Sequence, residues 1–128
     1  MAFKYGRASK RNIATGVPVL QQLLNRFIEI TDVDASVVEV IRSLEQQQKN
    51  IDDGVSWTLD SYHLTGEAAD IYPWVNGTSS QAPSAYRRIA KAMFQAAQEI
   101  DMEGYRLEWG GFWHKLDSPH WQLVRIHQ

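Results

Sequence analysis

Residues 61–74 of this 128-residue chain are SYHLTGEAADIYPW, a glycine-centred turn followed by a short apolar run. His63 and Asp70 stand seven residues apart on either side of Gly66. Because glycine adopts backbone conformations that other residues avoid, Gly66 permits a reversal that brings both side chains to one point. Residues 68–74 predict a strand. We therefore expect His63 on a loop and Asp70 on the strand that follows it.

Two elements are predicted upstream of this stretch. Apolar residues with helical spacing form one face: Leu20, Leu23, Leu24, Phe27 and Ile28. With Pro18 suited to the first turn, they predict an amphipathic helix over residues 17–30. Residues 36–42 are rich in β-branched side chains and predict a strand.

Turn signals divide the region between that strand and the next. Ser43 and Gln46 have the spacing of a capping box, which predicts a short helix that Gly54 ends. Residues 54–66 predict a loop. The strand over residues 68–74 is expected to end at Pro73, because proline lacks the N–H that a ladder needs.

The rest of the chain predicts one long helix and two strands. An apolar face predicts a helix over residues 83–102: Tyr86, Ile89, Ala90, Met93, Phe94, Ala97 and Ile100. Residues 105–109 and 121–126 alternate as strands do, with a Gly-Gly turn and an aromatic-rich loop between them. Two long helices and one short helix against a small, largely antiparallel sheet predict an α+β fold.

Composition limits the kinds of function. The chain is 44% hydrophobic and 22% charged, which is typical of a globular protein, and its length suits a single domain over residues 1–128. A net charge of -2 argues against a nucleic-acid partner. The basic residues near the N-terminus predict a short solvated segment: Lys4, Arg7, Lys10 and Arg11. Since cysteine is absent, a bound metal would need histidine and carboxylate ligands.

A second motif near the C-terminus suggests what the first one does. Asp117 and His120 lie just before the last predicted strand. Two imidazoles and one carboxylate, from His63, Asp70 and His120, match the three-ligand set of catalytic zinc with a position left for water. Asp117 would stand beside a ligand, where a carboxylate can take a proton from that water. Chance spacing and ordinary turn chemistry remain the alternatives on residue type alone.

The motifs in this order resemble the M15 metallopeptidase family, which includes D-alanyl-D-alanine carboxypeptidases, dipeptidases and the L-alanyl-D-glutamate peptidase endolysins of phages. The matching positions are Ser61, His63, Gly66, Ala68 and Asp70; Trp109, Gly110, Gly111 and Trp113; and Asp117, Pro119 and His120. The stretches 40–46 and 50–56 and the opening Phe3, Gly6 and Ser9 are similar to the endolysin branch. The resemblance therefore covers nearly the whole chain and implies the Hedgehog/DD-peptidase fold.

The resemblance implies roles for five residues. His63, Asp70 and His120 would be ligands of Zn²⁺, Asp117 the general base, and Arg42 the residue that steadies a substrate carbonyl or carboxylate. Many members of the family carry Glu where this chain has Asp117, although Asp also occurs among the endolysins. The implied activity is hydrolysis of the L-alanyl-D-glutamate bond in the peptidoglycan stem peptide, during host cell lysis.

Several residues keep alternative interpretations. Arg42 also fits a surface position on a solvated strand, and Ser61 fits either a partner that orients Asp70 or a plain loop serine. Glu67 and His114 fit surface or packing positions, and His114 is the first replacement if a ligand is misassigned. His127 is the weakest ligand candidate.

Two rival functions and the setting follow from the same motifs. A D,D-carboxypeptidase or dipeptidase would use this scaffold, and a non-catalytic zinc-binding module would keep only the metal. No apolar run is long enough to span a membrane and no signal peptide is evident, so we expect synthesis in the host cytoplasm. Action on the wall would then need another protein to permeabilise the membrane. We expect a monomer whose partner is the peptidoglycan peptide.

Overall fold

The computed structural model describes residues 2–42, 44–52 and 62–126, without the side chains of residues 44, 45 and 47. The helices in these ranges are α1 (Arg7–Ile13), α2 (Pro18–Ile30), α3 (Leu44–Asp52) and α4 (Pro83–Glu99). The strands are β1 (Asp34–Glu39), β2 (Ala68–Val75), β3 (Thr78–Ser79), β4 (Tyr105–Trp109) and β5 (His120–Arg125). Short 3-10 turns occupy Tyr62–Thr65 and Gly110–Phe112.

The strands form one antiparallel sheet in the order β1-β2-β5-β4, with β3 paired to the end of β2. This confirms the predicted α+β class. Asp70 lies in the middle of the sheet, opposite Glu39 on β1 and opposite His120 on β5. The pairing therefore brings together residues that are far apart in the sequence.

The core lies where α2 and α4 pack on each other and α4 packs on β2. The predicted apolar face of α2 is confirmed, since all five of its residues are buried: Leu20, Leu23, Leu24, Phe27 and Ile28. Their partners include Ile71 and Trp121 on the sheet and Ile89 and Met93 on α4, none of them exposed to solvent. Burial of large apolar side chains is the main stabilising contribution in such a core.

Helix α1 was missed by the sequence analysis, which predicted only a solvated basic segment there. The four basic side chains are indeed exposed, but Ser9 and Ile13 of this short helix are buried. The Ser9 hydroxyl accepts a hydrogen bond from the N–H of Val37 at 3.0 Å, and Asn12 Nδ2 donates to the carbonyl of Val37 at 2.8 Å. Helix α1 thus satisfies backbone groups of the edge strand β1 that would otherwise lack partners.

Two predicted strand boundaries were wrong. Strand β1 spans 34–39 instead of 36–42, because its register shifts after Val37 and the chain then leaves the sheet. Strand β2 passes through Pro73 to Val75. The N–H of Ile71 donates to the carbonyl of Pro119, beyond which β5 no longer faces β2. Pro73 has no N–H to donate on that side, but its carbonyl accepts a hydrogen bond from the N–H of Ser80 at 2.9 Å, and β3 pairs with this end of β2.

The other boundaries differ less. Helix α4 ends at Glu99 rather than at 102, because Ile100 has an extended backbone and the chain then turns at Glu103 and Gly104. Strand β5 begins at His120, one residue early. The short helix is present as α3, but Ser43 of the predicted capping box and Gly54 lie outside the described residues. Of the predicted loop, residues 54–61 also lie outside, and Tyr62–Thr65 forms a 3-10 turn.

Among the helices of the described residues, none combines the length and the apolarity that crossing a bilayer requires.

Candidate metal centre

His63 is held by the 3-10 turn that precedes β2, and its side chain is 1% exposed. Its Nδ1 lies 2.7 Å from the carbonyl oxygen of Val40. A carbonyl can only accept, so Nδ1 carries the proton and Nε2 presents a lone pair. That lone pair faces Oδ1 of Asp70 at 3.2 Å. The backbone of Val40 thereby orients the ring toward the carboxylate.

Gly66 makes the reversal between His63 and Asp70, as predicted. Its φ is +74°, in the region that favours glycine. A Cβ on Gly66 would lie 2.9 Å from the carbonyl oxygen of Thr15. The carbonyl of Gly66 accepts a hydrogen bond from the N–H of Val17 at 3.0 Å. The turn is therefore packed tightly against the α1–α2 connection, which leaves no room for a side chain.

His120 approaches the same carboxylate oxygen from the neighbouring strand. Its Nδ1 lies 3.4 Å from Oδ1 of Asp70, and its Nε2 lies 2.7 Å from Oε1 of Gln122. His120 is 8% exposed, and its ring centroid is 5.1 Å from that of His63. Two histidine nitrogens therefore converge on one carboxylate oxygen.

This convergence suits a metal cation. Ligand atoms of His63, Asp70 and His120 all lie within 4.8 Å of one another. Zinc bonds of about 2.0 to 2.2 Å in tetrahedral geometry separate neighbouring ligand atoms by roughly 3.3 Å. The distances of 3.2 and 3.4 Å from the nitrogens to Asp70 are close to that value. Lone pairs this close to a carboxylate oxygen need a proton or a cation between them, so the group could hold a metal ion.

The charges of the site act on each other. Burial raises the pKa of Asp70, but the imidazoles of His120 and His63 donate hydrogen bonds to it and attract its charge when they carry a proton on the facing nitrogen, and together they hold that pKa well below its ordinary value. Burial lowers the pKa of His120, but the hydrogen bond and charge of Asp70 raise it overall. A carboxylate that stays ionised is available to bind a metal near neutral pH. At His120, a cation would have to compete with a proton.

Arg42 lies beside this group, with 12% of its side chain exposed. The surface position considered for Arg42 is therefore wrong. Its guanidinium donates to Oε1 of Glu39, with Nε at 2.6 Å. Nη2 of Arg42 lies 3.7 Å from Oδ2 of Asp70. The N–H of Arg42 also donates to the carbonyl of His63 at 3.0 Å, so backbone and side chain both tie this residue to the site.

Asp117 is supplied by the loop between β4 and β5. Its N–H donates to the carbonyl of Gly110 at 3.0 Å, and its carbonyl accepts from the N–H of His120 at 3.1 Å. Trp109 Nε1 donates to the carbonyl of Ser118 at 2.8 Å, which fastens the same loop. Burial raises the pKa of Asp117, and the charges of His120 and Asp70 also act on it. Asp117 is therefore a more basic carboxylate than an exposed one.

Gly110 offers a way to move Asp117 without changing it. A Cβ at Gly110 would lie 2.3 Å from the carbonyl oxygen of Asp117, so Gly110→Ala must displace the loop. We expect a loss of unfolding free energy of about 1 to 3 kcal/mol, the usual cost of overpacking. Peptide hydrolysis should fall while bound metal is retained.

The matched control for that substitution is Gly6→Ala, because a Cβ there meets nothing within 4 Å and φ is -75°. Thermal unfolding, elemental analysis and a hydrolysis assay on both variants check the expectation. Wild-type stability in Gly110→Ala would contradict the close contact with Asp117.

The alternative ligands lie elsewhere or outside the described residues. Glu67 accepts hydrogen bonds from the hydroxyls of Tyr105 at 2.7 Å and Thr65, and is not one of the three grouped residues. His114 is exposed and also outside that group. Ser61 and His127 lie outside the described residues.

Three residues near the site were missed by the sequence analysis. Glu39 binds Arg42, Gln122 binds His120, and Tyr72 lies two residues after Asp70 on the same face of β2. Burial raises the pKa of Tyr72, and the charge of Asp70 raises it further. Alternation along β2 and β5 was a usable signal for Tyr72 and Gln122. Glu39 had none, since the bulge in β1 decides where it points.

Comparison with known proteins bears on this geometry. Residues 1–124 match the family model described as phage L-alanyl-D-glutamate peptidase. The chain belongs to this family. The match confirms the predicted endolysin branch and extends past every residue of the candidate metal centre. Members of the family are peptidases, so the prediction that this chain is an enzyme is confirmed.

Individual relatives agree with the family assignment. The chain is 33% identical over 129 residues to the L-alanyl-D-glutamate peptidase of Escherichia phage T5, with 98% of this chain and 92% of that protein covered. It is 31% identical to the peptidase of the same name from Listeria phage A118, covering 95% of this chain and 42% of that protein. The crystal structure of Serratia marcescens L-Ala D-Glu endopeptidase ChiX is similar with a TM-score of 0.85 and 34% identity. That match covers 94% of this chain and 90% of the other.

Proposed function

We propose that this protein is a zinc-dependent endopeptidase that hydrolyses the L-alanyl-D-glutamate bond of the peptidoglycan stem peptide, as a phage endolysin. The observation that carries the proposal is the convergence of two oriented histidine nitrogens on Oδ1 of Asp70. The names of the relatives from phages T5 and A118 supply the bond. Cysteine-free ligands of this kind belong to catalytic rather than structural zinc sites.

The proposed ligands are Nε2 of His63, a carboxylate oxygen of Asp70 and Nδ1 of His120. Each histidine donates its other N–H to a neighbour, the carbonyl of Val40 for His63 and the side chain of Gln122 for His120. Such partners hold the rings in place and select the tautomer that leaves the ligating nitrogen free. Zinc held there would act as a Lewis acid, which would lower the pKa of a water molecule toward neutral and polarise the scissile carbonyl.

Asp117 is the proposed general base and acid. It takes a proton from the attacking water and delivers it to the amine of D-glutamate as the amide bond breaks. Its raised pKa increases its affinity for that proton. Backbone hydrogen bonds to Gly110 and His120, and the bond from Trp109 to Ser118, support this role because they fix the loop that carries Asp117 beside His120.

Arg42 is proposed to steady negative charge on the substrate. Its guanidinium lies 3.7 Å from Asp70, at the edge of the proposed ligands. The hydrogen bond to Glu39 fixes the orientation of the guanidinium. A preorganised cation stabilises the oxyanion that develops when a carbonyl is attacked. A carboxylate of the stem peptide is the other group that Arg42 would bind.

The Arg42→Ala variant tests this role. We expect cleavage of peptidoglycan to slow by a factor on the order of 10² to 10³, as for other removed oxyanion donors. Zinc content by elemental analysis should stay at one per chain, since Arg42 is not a ligand. Arg87→Ala is the control, because Arg87 is exposed on α4. Loss of zinc from Arg42→Ala would show that the arginine supports the ligands instead.

Metal removal tests the enzyme against the two rival functions. Chelator should abolish hydrolysis of purified peptidoglycan, and added zinc should restore it. A non-catalytic zinc module would bind zinc and release nothing under either condition. A D,D-carboxypeptidase would release free D-alanine, which end-group analysis distinguishes from cleavage after L-alanine.

The setting of the reaction belongs to the same proposal. All proposed site residues fall between Arg42 and His120 on one sheet and its adjoining loops, so we propose one catalytic domain over residues 1–128. The enzyme would act as a monomer on the wall peptide, after another protein permeabilises the host membrane.

A further inference from the structure

A polar chain runs from His120 across the β5–β4 pair. Nε2 of His120 lies 2.7 Å from Oε1 of Gln122, and Nε2 of Gln122 donates to Oε1 of Glu108 at 3.0 Å. Gln122 and Glu108 are directly opposite each other in the register of the two strands. Both His120 and Gln122 are buried, at 8% and 9% exposed, so water cannot readily replace these bonds.

Glu108 decides which way the amide of Gln122 points. An ionised carboxylate only accepts, so the NH2 of Gln122 must face Glu108 and its carbonyl oxygen must face His120. Glu108 is itself held from two other sides. Trp113 Nε1 donates to Oε1 at 3.2 Å, and the guanidinium of Arg106 lies 2.8 Å from Oε2. The carboxylate therefore has a defined position rather than a free one.

The orientation of Gln122 in turn selects the tautomer of His120. A carbonyl oxygen at Nε2 favours a proton there. When a cation replaces the proton between Nδ1 and Asp70, the neutral imidazole is therefore left as the Nε2–H tautomer, with the Nδ1 lone pair available. The opposite amide orientation would place an NH2 group at Nε2 and move the proton to Nδ1, where it would block ligation. His63 needs no such device, because its partner is the backbone carbonyl of Val40, which cannot turn.

We propose that Glu108 and Gln122 are positioning residues, which set the Nε2–H tautomer of His120 and so prepare Nδ1 to bind the metal. This rests on the proposed function only in taking His120 as a ligand. Partners of this kind are typically worth a factor of about 10 to 100 in metal affinity. The ring of Trp113 lies 5.2 Å from that of His120, and its Nε1–H donates to Glu108. The β4–β5 loop therefore contacts both His120 and the carboxylate that orients its partner.

Zinc affinity and imidazole NMR test the proposal on the full chain. Gln122→Met removes the acceptor and keeps the length of the side chain, so the Kd for zinc in chelator competition should rise by a factor of about 10 to 100. Glu108→Gln keeps the shape of the side chain but no longer fixes the orientation of the Gln122 amide. The Kd for zinc should therefore rise less than in Gln122→Met. In ¹H–¹⁵N spectra of the zinc-loaded protein, the Nε2–H of wild-type His120 should be protected from exchange with water, and it should exchange faster in both variants.

A control and a rescue separate positioning from general stability. Glu103→Gln makes the same carboxylate-to-amide change at an exposed position outside the polar chain, so its Kd and its Nε2–H exchange should match wild type. The exchange Glu108→Gln with Gln122→Glu returns an obligate acceptor to Nε2 of His120. It should therefore recover zinc affinity relative to Gln122→Met.

The outcomes are distinct. Variants that keep both the wild-type Kd and the wild-type exchange rate of the His120 Nε2–H would overturn the proposal, including where only their thermal stability falls. If Gln122→Met does not fold, Glu108→Gln and the exchange carry the same decision. His120→Ala must lose zinc, and retention of it would overturn the inference together with the ligand assignment. Zinc binding with the expected dependence but no peptide release would refute the proposed function alone.

Discussion

We expect the His63→Ala variant to lose its zinc and its peptidase activity together. His63 is buried, and within the described part of the chain its ligand group contains only two further residues, Asp70 and His120. Removing the ring leaves two ligands, too few for a stable catalytic zinc site. Zinc per chain should fall from one to near zero in elemental analysis after dialysis, and lysis of bacterial walls should become undetectable.

His114→Ala is the matched control for that experiment. It removes a histidine that is exposed and lies outside the metal group, so zinc and activity should remain at wild-type levels. One tightly bound zinc in His63→Ala would contradict the assignment. Loss of zinc in His114→Ala would contradict it from the other side and make His114 a ligand.

The Asp117→Ala variant should separate metal binding from catalysis. We expect one zinc per chain and a hydrolysis rate lower by a factor on the order of 10² to 10⁴, the usual contribution of a positioned general acid–base group. The reason is that Asp117 adjoins His120 through the backbone but does not belong to the three grouped residues. Single-turnover hydrolysis and elemental analysis on the same preparation measure both quantities.

Asp101→Ala serves as the control, because Asp101 is an exposed carboxylate that follows α4. Its rate should equal that of the wild type. Near wild-type turnover in Asp117→Ala would remove Asp117 from the mechanism. Loss of zinc in that variant would instead make Asp117 a ligand.

Elements with strong local signals were predicted well from the sequence. The apolar faces of α2 and α4 repeat with the helical period, and the turn at Gly66 follows from a residue that tolerates positive φ. Helix α1 was missed, because seven residues carry too little periodic signal. The end of β2 was misplaced, because the prediction treated Pro73 as a strand terminator, whereas β3 pairs with the residues that follow it.

The candidate site shows the same difference between residues with a local sequence signal and contacts that depend on tertiary structure. Residue types and spacing singled out His63, Asp70 and His120, and the structure brings all three together, although their role as ligands stays a prediction. The groups around them depend on pairing between distant strands. Glu39 lies opposite Asp70 only through the β1–β2 register after the bulge at Val37, and Glu108 reaches Gln122 only through the β4–β5 register. Such contacts follow from tertiary structure and leave no pattern within one segment.

The most direct test of the proposed function is end-group analysis of purified sacculi digested with the zinc-loaded enzyme. Cleavage of the proposed bond predicts new N-terminal D-glutamate, together with muramyl-linked L-alanine carrying a free carboxyl group. Both products should be absent with His63→Ala and with chelator. Release of free D-alanine with the L-alanyl-D-glutamate bond intact would contradict the proposal and assign the protein to carboxypeptidase chemistry.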